Sequence, residues 1–158
     1  MNTFKIFGLI LFLSGQLLAH AQHQVKPSDS TAVIKVVNKL FDGMRQSDSA
    51  MVHDAFADEV QLLSTYTKKD GTKMVKEGSL VEFLVAVGTH HDQVWDEKLY
   101  NILVFVDGSI AQVWTEYSFY VGDKFSHCGV DAFQLVKYEG KWRIVSLVDT
   151  RKRSGCKN

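Results

Sequence analysis

The sequence predicts an α+β fold, with three N-terminal helices packed on a curved antiparallel sheet. Three observations carry this. Apolar residues early in the chain recur at helical spacing, as at Val33, Val36, Val37, Leu40, Phe41 and Met44. Two short alternating runs follow, separated by the turn pair Asp70-Gly71. Residues 95–151 are then a near-unbroken succession of Val, Ile, Phe, Tyr and Trp runs, interrupted only at Asp107-Gly108, Gly122-Asp123 and Glu139-Gly140-Lys141. Glycine supplies the positive φ that hairpin turns need, and the flanking residues suit a pleated, half-buried surface. Helices first and successive antiparallel strands afterwards give an α+β architecture.

The elements follow in order. Residues 1–21 read as a cleaved secretory signal: Lys5 precedes the apolar run 6–18, and Ala19-His20-Ala21 has the small-x-small cleavage pattern. The apolar run is shorter than the roughly 20 residues a membrane span requires, so no membrane attachment is expected after cleavage. Residues 22–31 form a polar linker, 32–151 the folded domain and 152–158 a tail. Ser28, Asp29 or Ser30 can cap the first helix. A second, short helix carries Met51, Val52, Ala55 and Phe56. Strands are expected over 60–66 and through Met74 and Val75. Ser79-Leu80-Val81-Glu82 is a capping box opening a third helix through Phe83, Leu84 and Val87. Four strands complete the chain.

The chain has 158 residues, enough for one domain, and its 18 basic and 18 acidic residues leave no net charge. No basic stripe is present, which excludes a nucleic-acid partner. Cys128 and Cys156 can join as a disulfide in an exported protein, or stay as one buried and one exposed thiol. No phosphate loop, dinucleotide fingerprint or nucleophile motif occurs, so no cofactor is expected. His90-His91-Asp92 does not offer the converging ligands of a metal site.

Three stretches, LFDGM at 40–44, AQVWTEYSFY at 111–120 and the closing hairpin GVDAFQL…GKWRIVSLVDTR, resemble the nuclear transport factor 2-like (NTF2-like) superfamily, which includes ketosteroid isomerase and the SnoaL-like proteins. The resemblance is greatest to exported bacterial members, many without an assigned activity. It implies a cone whose open end holds a small-molecule site, where relatives use Asp, His and Tyr for acid–base chemistry. None of the superfamily's catalytic motifs matches residue by residue, so the resemblance carries a location and no mechanism.

Register gives the candidate residues. With Gly140 central to the last turn, Asp131 faces Asp149, Phe133 faces Leu147 and Leu135 faces Val145. The opposite face pairs Ala132 with Val148, Val136 with Ile144 and Tyr138 with Trp142. A two-residue turn at Gly122-Asp123 adds Trp114, Glu116 and Ser118 to the Asp131 face, and Val113, Tyr117 and Phe119 to the other. One face therefore changes from aliphatic to a polar group of Trp114, Glu116, His127, Asp131, Asp149 and Arg151. Apolar walls with a few convergent polar groups are what ligand sites look like. Directly opposed carboxyls about 4.5–5.5 Å apart at Cβ should split their pKa values, unless Arg151 holds both ionised as a structural network. His127 and Asp131, four residues apart on one strand, lie roughly 13 Å from each other and cannot bond directly. Asp131, His127 and Asp149 are the candidates for proton transfer; Trp114, Glu116, Arg151, Tyr66 and Trp95 are those for ligand contact. The expected function is binding of a small apolar or aromatic molecule, the alternative a cofactor-independent lyase or isomerase. Apolar residues on both sheet faces suggest a homodimer, and the signal a periplasmic or secreted location.

Overall fold

The computed structural model describes residues 27–156; the expected signal, the expected linker up to residue 26 and residues 157–158 lie outside them. The first helix, α1 (Pro27–Gln46), begins inside the expected linker, because proline fits the first helical turn, where its missing N–H costs nothing. Its apolar stripe is buried at Val33, Val37, Leu40, Phe41 and Met44. A salt bridge of 2.8 Å from Lys137 to Asp29 ties its start to the sheet. α2 (Ser49–His53) is capped by Asp48, whose carboxylate accepts the Met51 N–H at 2.8 Å.

β1 (Phe56–Thr67) and β2 (Lys73–Gly78) form the first hairpin, with Asp70 accepting the Thr72 N–H at 2.9 Å in its turn. α3 (Leu80–Gly88) starts at Ser79, which accepts the Glu82 N–H at 3.3 Å as the capping motif predicts. The long strands are β3 (Trp95–Asp107), β4 (Ile110–Val121), β5 (Lys124–Tyr138) and β6 (Lys141–Arg151).

The six strands make one curved sheet in the order β2-β1-β6-β5-β4-β3. Four of its seams are antiparallel, as expected, but β1 and β6 run parallel. β2 occupies one edge of β1 through a tight hairpin, so β1 meets β6 across the rest of the chain, a connection long enough for a parallel pair. The helices cover one face. There Val37, Leu40 and Phe41 meet Val113, Phe133, Leu135 and Ile144, with Phe41 edge-on to Phe133 at 6.2 Å between ring centres.

Two bulges correct the expected register. The last turn has two residues, Glu139 (φ 49°) and Gly140 (φ 77°), so Tyr138 faces Lys141, Val136 faces Arg143 and Leu135 faces Ile144. An extra residue at Val145 then restores the expected pairing of Phe133 with Leu147 and Asp131 with Asp149. At the preceding hairpin Val121 faces Lys124 as expected, but an extra residue at Ser126 puts Phe119 opposite His127 and Thr115 opposite Asp131. A slip of one residue exchanges the two faces. Thr115, Tyr117 and Phe119 therefore join the Asp131 face, while Trp114, Glu116 and Ser118 leave it.

Candidate functional site

Beyond the Phe133 layer the inner face opens into a cavity of about 190 Å³. Its walls are apolar: Leu40, Phe41 and Met44 from α1, Leu62 from β1, Phe83 from α3 and Leu147 from β6. One end is polar, with Glu97, Tyr117, His127, Asp131, Asp149 and Arg151. A wider mouth of about 480 Å³ shares Met44, Phe83, Glu97, His127 and Arg151 and adds Trp95, Phe119, Lys76 and Glu82. Curvature is what brings side chains from four strands to one end, and the bulges supply much of it.

Of the predicted site residues, the structure gathers Asp131, His127, Asp149 and Arg151 around the cavity and sets Trp95 at its mouth, edge-on to Phe119. Tyr66 sits one step beyond, opposite Arg151 on the β1 edge. Trp114 and Glu116 do not belong to this site. The Ser126 bulge turns both to the outer face, where Trp114 is 46 % exposed. Two site residues escape the register argument. Tyr117 was assigned to the wrong face by the same slip. Glu97 carried a legible signal: in Trp95-Asp96-Glu97-Lys98-Leu99 the period of two sets a carboxyl between two inward apolar side chains.

The carboxyls sort into two kinds. Asp149 has donors: Arg151 Nε gives a hydrogen bond of 2.7 Å to Oδ2, and the Tyr117 hydroxyl gives one of 3.3 Å to the same atom. Asp131 is 3 % exposed, and its Oδ2 has no donor among the described residues. Burial, reinforced by the charge of Glu97 and a hydrogen bond to it, raises the Asp131 pKa well above the usual carboxylate range. Burial also pushes Glu97 up to about 7, with Asp149 adding to the shift while the bond from Asp131 and the charge of Arg151 oppose it. A bond between two carboxyls requires a proton, so Asp131 donates and Glu97 accepts. The partner that splits the titration of Asp131 is thus Glu97 on β3, while Arg151 takes Asp149.

His127 is held neutral by burial and by Arg151, both of which lower its pKa. Its Nδ1 lies 3.0 Å from the Ser126 hydroxyl, and its ring packs on Tyr117 and Phe119. Burial beside Asp149 raises the Tyr117 phenol, which stays a donor. Tyr117 also donates to the Thr150 carbonyl at 3.0 Å. That carbonyl occupies the space a side chain at position 129 would need, since a Cβ on Gly129 would lie 1.7 Å from it. Glycine is therefore required where β6 flares over β5. Cys128 and Cys156 form a disulfide that ties the tail to the outer face beside this flare, and Cys128 and Lys152 exchange backbone hydrogen bonds of 2.9 Å. No group of three or more His, Cys, Asp or Glu side chains among the described residues is arranged to hold a metal. His91 bonds the Ala86 carbonyl at 2.8 Å and stacks on Trp95, and His90 is exposed.

The fold recurs in solved structures. An NTF2-like protein of unknown function from Shewanella baltica is 18% identical, with 83% of this chain and 99% of that chain covered and a TM-score of 0.61. A protein of unknown function from Mycobacterium tuberculosis gives 16% identity, coverage of 82% and 80%, and a TM-score of 0.65. One with a cystatin-like fold from Nostoc punctiforme gives 12%, 83% and 96%, and 0.64. At such identities the likeness is one of fold. No curated protein matches the chain significantly. A family model does match, over residues 28–148, which spans every strand and helix of the domain almost to the end of β6. The chain belongs to the family described as "Putative lumazine-binding", and its fold is the NTF2-like one of those structures.

Proposed function

We propose that this protein binds a small, flat, largely apolar molecule in the cone, gripped by the apolar walls and oriented by the polar end. The observation that carries the reading is the cavity itself: one unfilled space, apolar along its sides, on whose end six polar side chains from four strands converge. The family description, which names a bicyclic heteroaromatic ligand, supports it. Trp95 at the mouth supplies the measurement. Titrating lumazine and other fused heteroaromatics should quench tryptophan emission and raise Tm, by about 2.7 kcal/mol of added stability at a ligand concentration 100 times Kd. No shift from any of them at millimolar concentration would end the reading.

A second reading rests on the Asp131–Glu97 pair. One proton shared between two carboxyls, with Glu97 titrating near 7, is a source and sink for proton transfer at neutral pH, as a cofactor-independent lyase or isomerase needs. Turnover of enolisable or dehydratable substrates, lost in both Glu97→Gln and Asp131→Asn, would favour it over binding alone.

Two further parts of the proposal concern the surroundings. Export follows from the N-terminal pattern, and a mature chain beginning at Gln22 by mass spectrometry would support it. Pairing of two copies through the outer sheet face follows from Leu103, Phe105, Ile110 and Trp114, all exposed there. A monomeric mass by light scattering at micromolar concentration would count against it.

A further inference from the structure

Charge is unevenly spent inside the cavity. Three carboxyls, Glu97, Asp131 and Asp149, reach its polar end against one guanidinium, Arg151. Arg151 directs Nε at Asp149, and the Tyr117 hydroxyl serves the same oxygen. His127 contributes no charge while its pKa is lowered. What remains lining the space is the Asp131–Glu97 pair, and Asp131 Oδ2, nearly fully buried, has no donor among the described residues. A buried acceptor without a donor costs free energy that a ligand N–H can recover. The pair, once its shared proton leaves, holds two negative charges that Arg151, engaged with Asp149, only partly offsets.

From this geometry we infer that the cavity selects planar ligands bearing N–H donors or one positive charge, such as aromatic amidines, against carboxylates of the same size. The inference rests on the small-molecule reading above and names its ligand class. An amidinium presents two parallel N–H donors to a carboxyl and neutralises one charge. An anion would have only the Nη groups of Arg151, whose charge Asp149 already offsets through Nε, and would lie against Glu97 and Asp131.

The other charged groups around Glu97 do not reverse this balance. On β3 its neighbour Asp96 is held by Arg45 of α1, at 3.2 Å, and Arg45 is also paired with Asp42. Arg45 reaches only the backbone carbonyl of Glu97, at 3.4 Å. β4 supplies Tyr117, β5 His127 and Asp131, and β6 Asp149 and Arg151. At the mouth Lys76 of β2 and Glu82 of α3 offset each other. Deprotonation of Glu97 near pH 7 strengthens the attraction for a cation, so the preference grows with pH.

The test is calorimetric titration of the oxidised protein with benzamidine, benzamide and benzoate at pH 5.5 and pH 8. Benzamidine is expected to bind tightest and benzoate weakest, with at least about tenfold between them at pH 8 and less at pH 5.5. In Glu97→Gln and in Asp131→Asn the benzamidine advantage over benzamide should fall, with far-UV circular dichroism matching the wild type as the check that each variant is folded. Both substitutions replace a carboxyl with its neutral isostere, so folding should survive. In Arg151→Gln, which frees Asp149, the benzamidine advantage should grow. Benzamide bound with benzamidine no tighter, or benzoate tightest, would overturn this inference and leave the small-molecule reading standing. If none of the three binds, benzamide included, that reading falls and the inference with it.

Discussion

The inner face of the sheet passes through two environments on the same strands. At one end Phe133, Leu135 and Ile144 lie under α1 with essentially no exposure. Two residues from Phe133 on β5 and five from Ile144 on β6, Asp131 and Asp149 are also buried, yet border open space. Strand, face and covering helix are common to both ends. What differs is filling: Val37, Leu40 and Phe41 interdigitate with the first group, and nothing from α1 reaches the floor of the second. The first end is a core, and the second is a core left unfilled. The Asp131 carboxyl there is desolvated without being packed, which raises its pKa and leaves its Oδ2 without a donor among the described residues.

The largest effects should come from the filled end. Phe133→Ala removes a fully buried ring beside Phe41 and should cost about 3–5 kcal/mol in urea unfolding. Leu147→Ala, next to it on β6 but lining the cavity, removes a side chain that already borders a void. Little new cavity surface is created, so its cost should stay below about 2 kcal/mol. Equal costs at the two positions would mean the space closes in solution, and the comparison would fail.

Next comes the disulfide. It closes a loop between residues 28 apart, which by chain entropy is worth about 3 kcal/mol. It also lies beside the flare where Thr150 accepts from Tyr117, and so beside Asp149 and Arg151. Cys156→Ser should lower stability by about 2–4 kcal/mol and weaken ligand binding at the open end, while the Phe133 end keeps its protection from hydrogen exchange. Uniform loss of protection would show that the tail holds the whole sheet.

The pH dependence of stability is smaller and has a defined sign. A carboxyl whose folded pKa is raised holds a proton that the unfolded chain has released. Glu97 goes from about 4.3 unfolded to about 7 folded. Its contribution is therefore unfavourable above that window, and stability should fall as pH rises between those values. Asp131 acts in the same direction. Because Glu97 keeps some solvent exposure, the drop should be about 1–3 kcal/mol. Glu97→Gln should flatten it. A profile that rises through this window in the wild type and is unchanged in the variant would remove the shared proton from the site.

How much of this was legible follows from where the period of two survives. The helices, both closing hairpins, the Ser79 cap and the Asp131–Asp149 opposition could be read from spacing and turn residues. Bulges could not. Ser126 and Val145 are ordinary strand residues, and nothing in their types announces an unpaired position. The bulge at Val145 had no effect on the site, because the expected turn was one residue too long and the two errors cancelled before Asp131. The bulge at Ser126 was not compensated, and it exchanged Trp114 and Glu116 for Thr115 and Tyr117. Glu97 needed no register at all, only the observation that a carboxyl alternates with Trp95 and Leu99.

The smallest effect is expected at Trp114, and it tests that exchange directly. On the outer face its ring is half exposed, so Trp114→Ala should change monomer stability by less than about 1 kcal/mol and leave ligand affinity unchanged. Tyr117→Phe, three residues on and facing inward, should lower affinity, because Asp149 and the Thr150 carbonyl both lose a donor. Residues 114 and 117 thus separate the two faces of β4. If two copies pair through the outer face, Trp114→Ala should also shift the sedimentation coefficient toward the monomer, with the cavity untouched. A loss of ligand affinity in Trp114→Ala without such a shift would place its ring inside the cone and the bulge elsewhere.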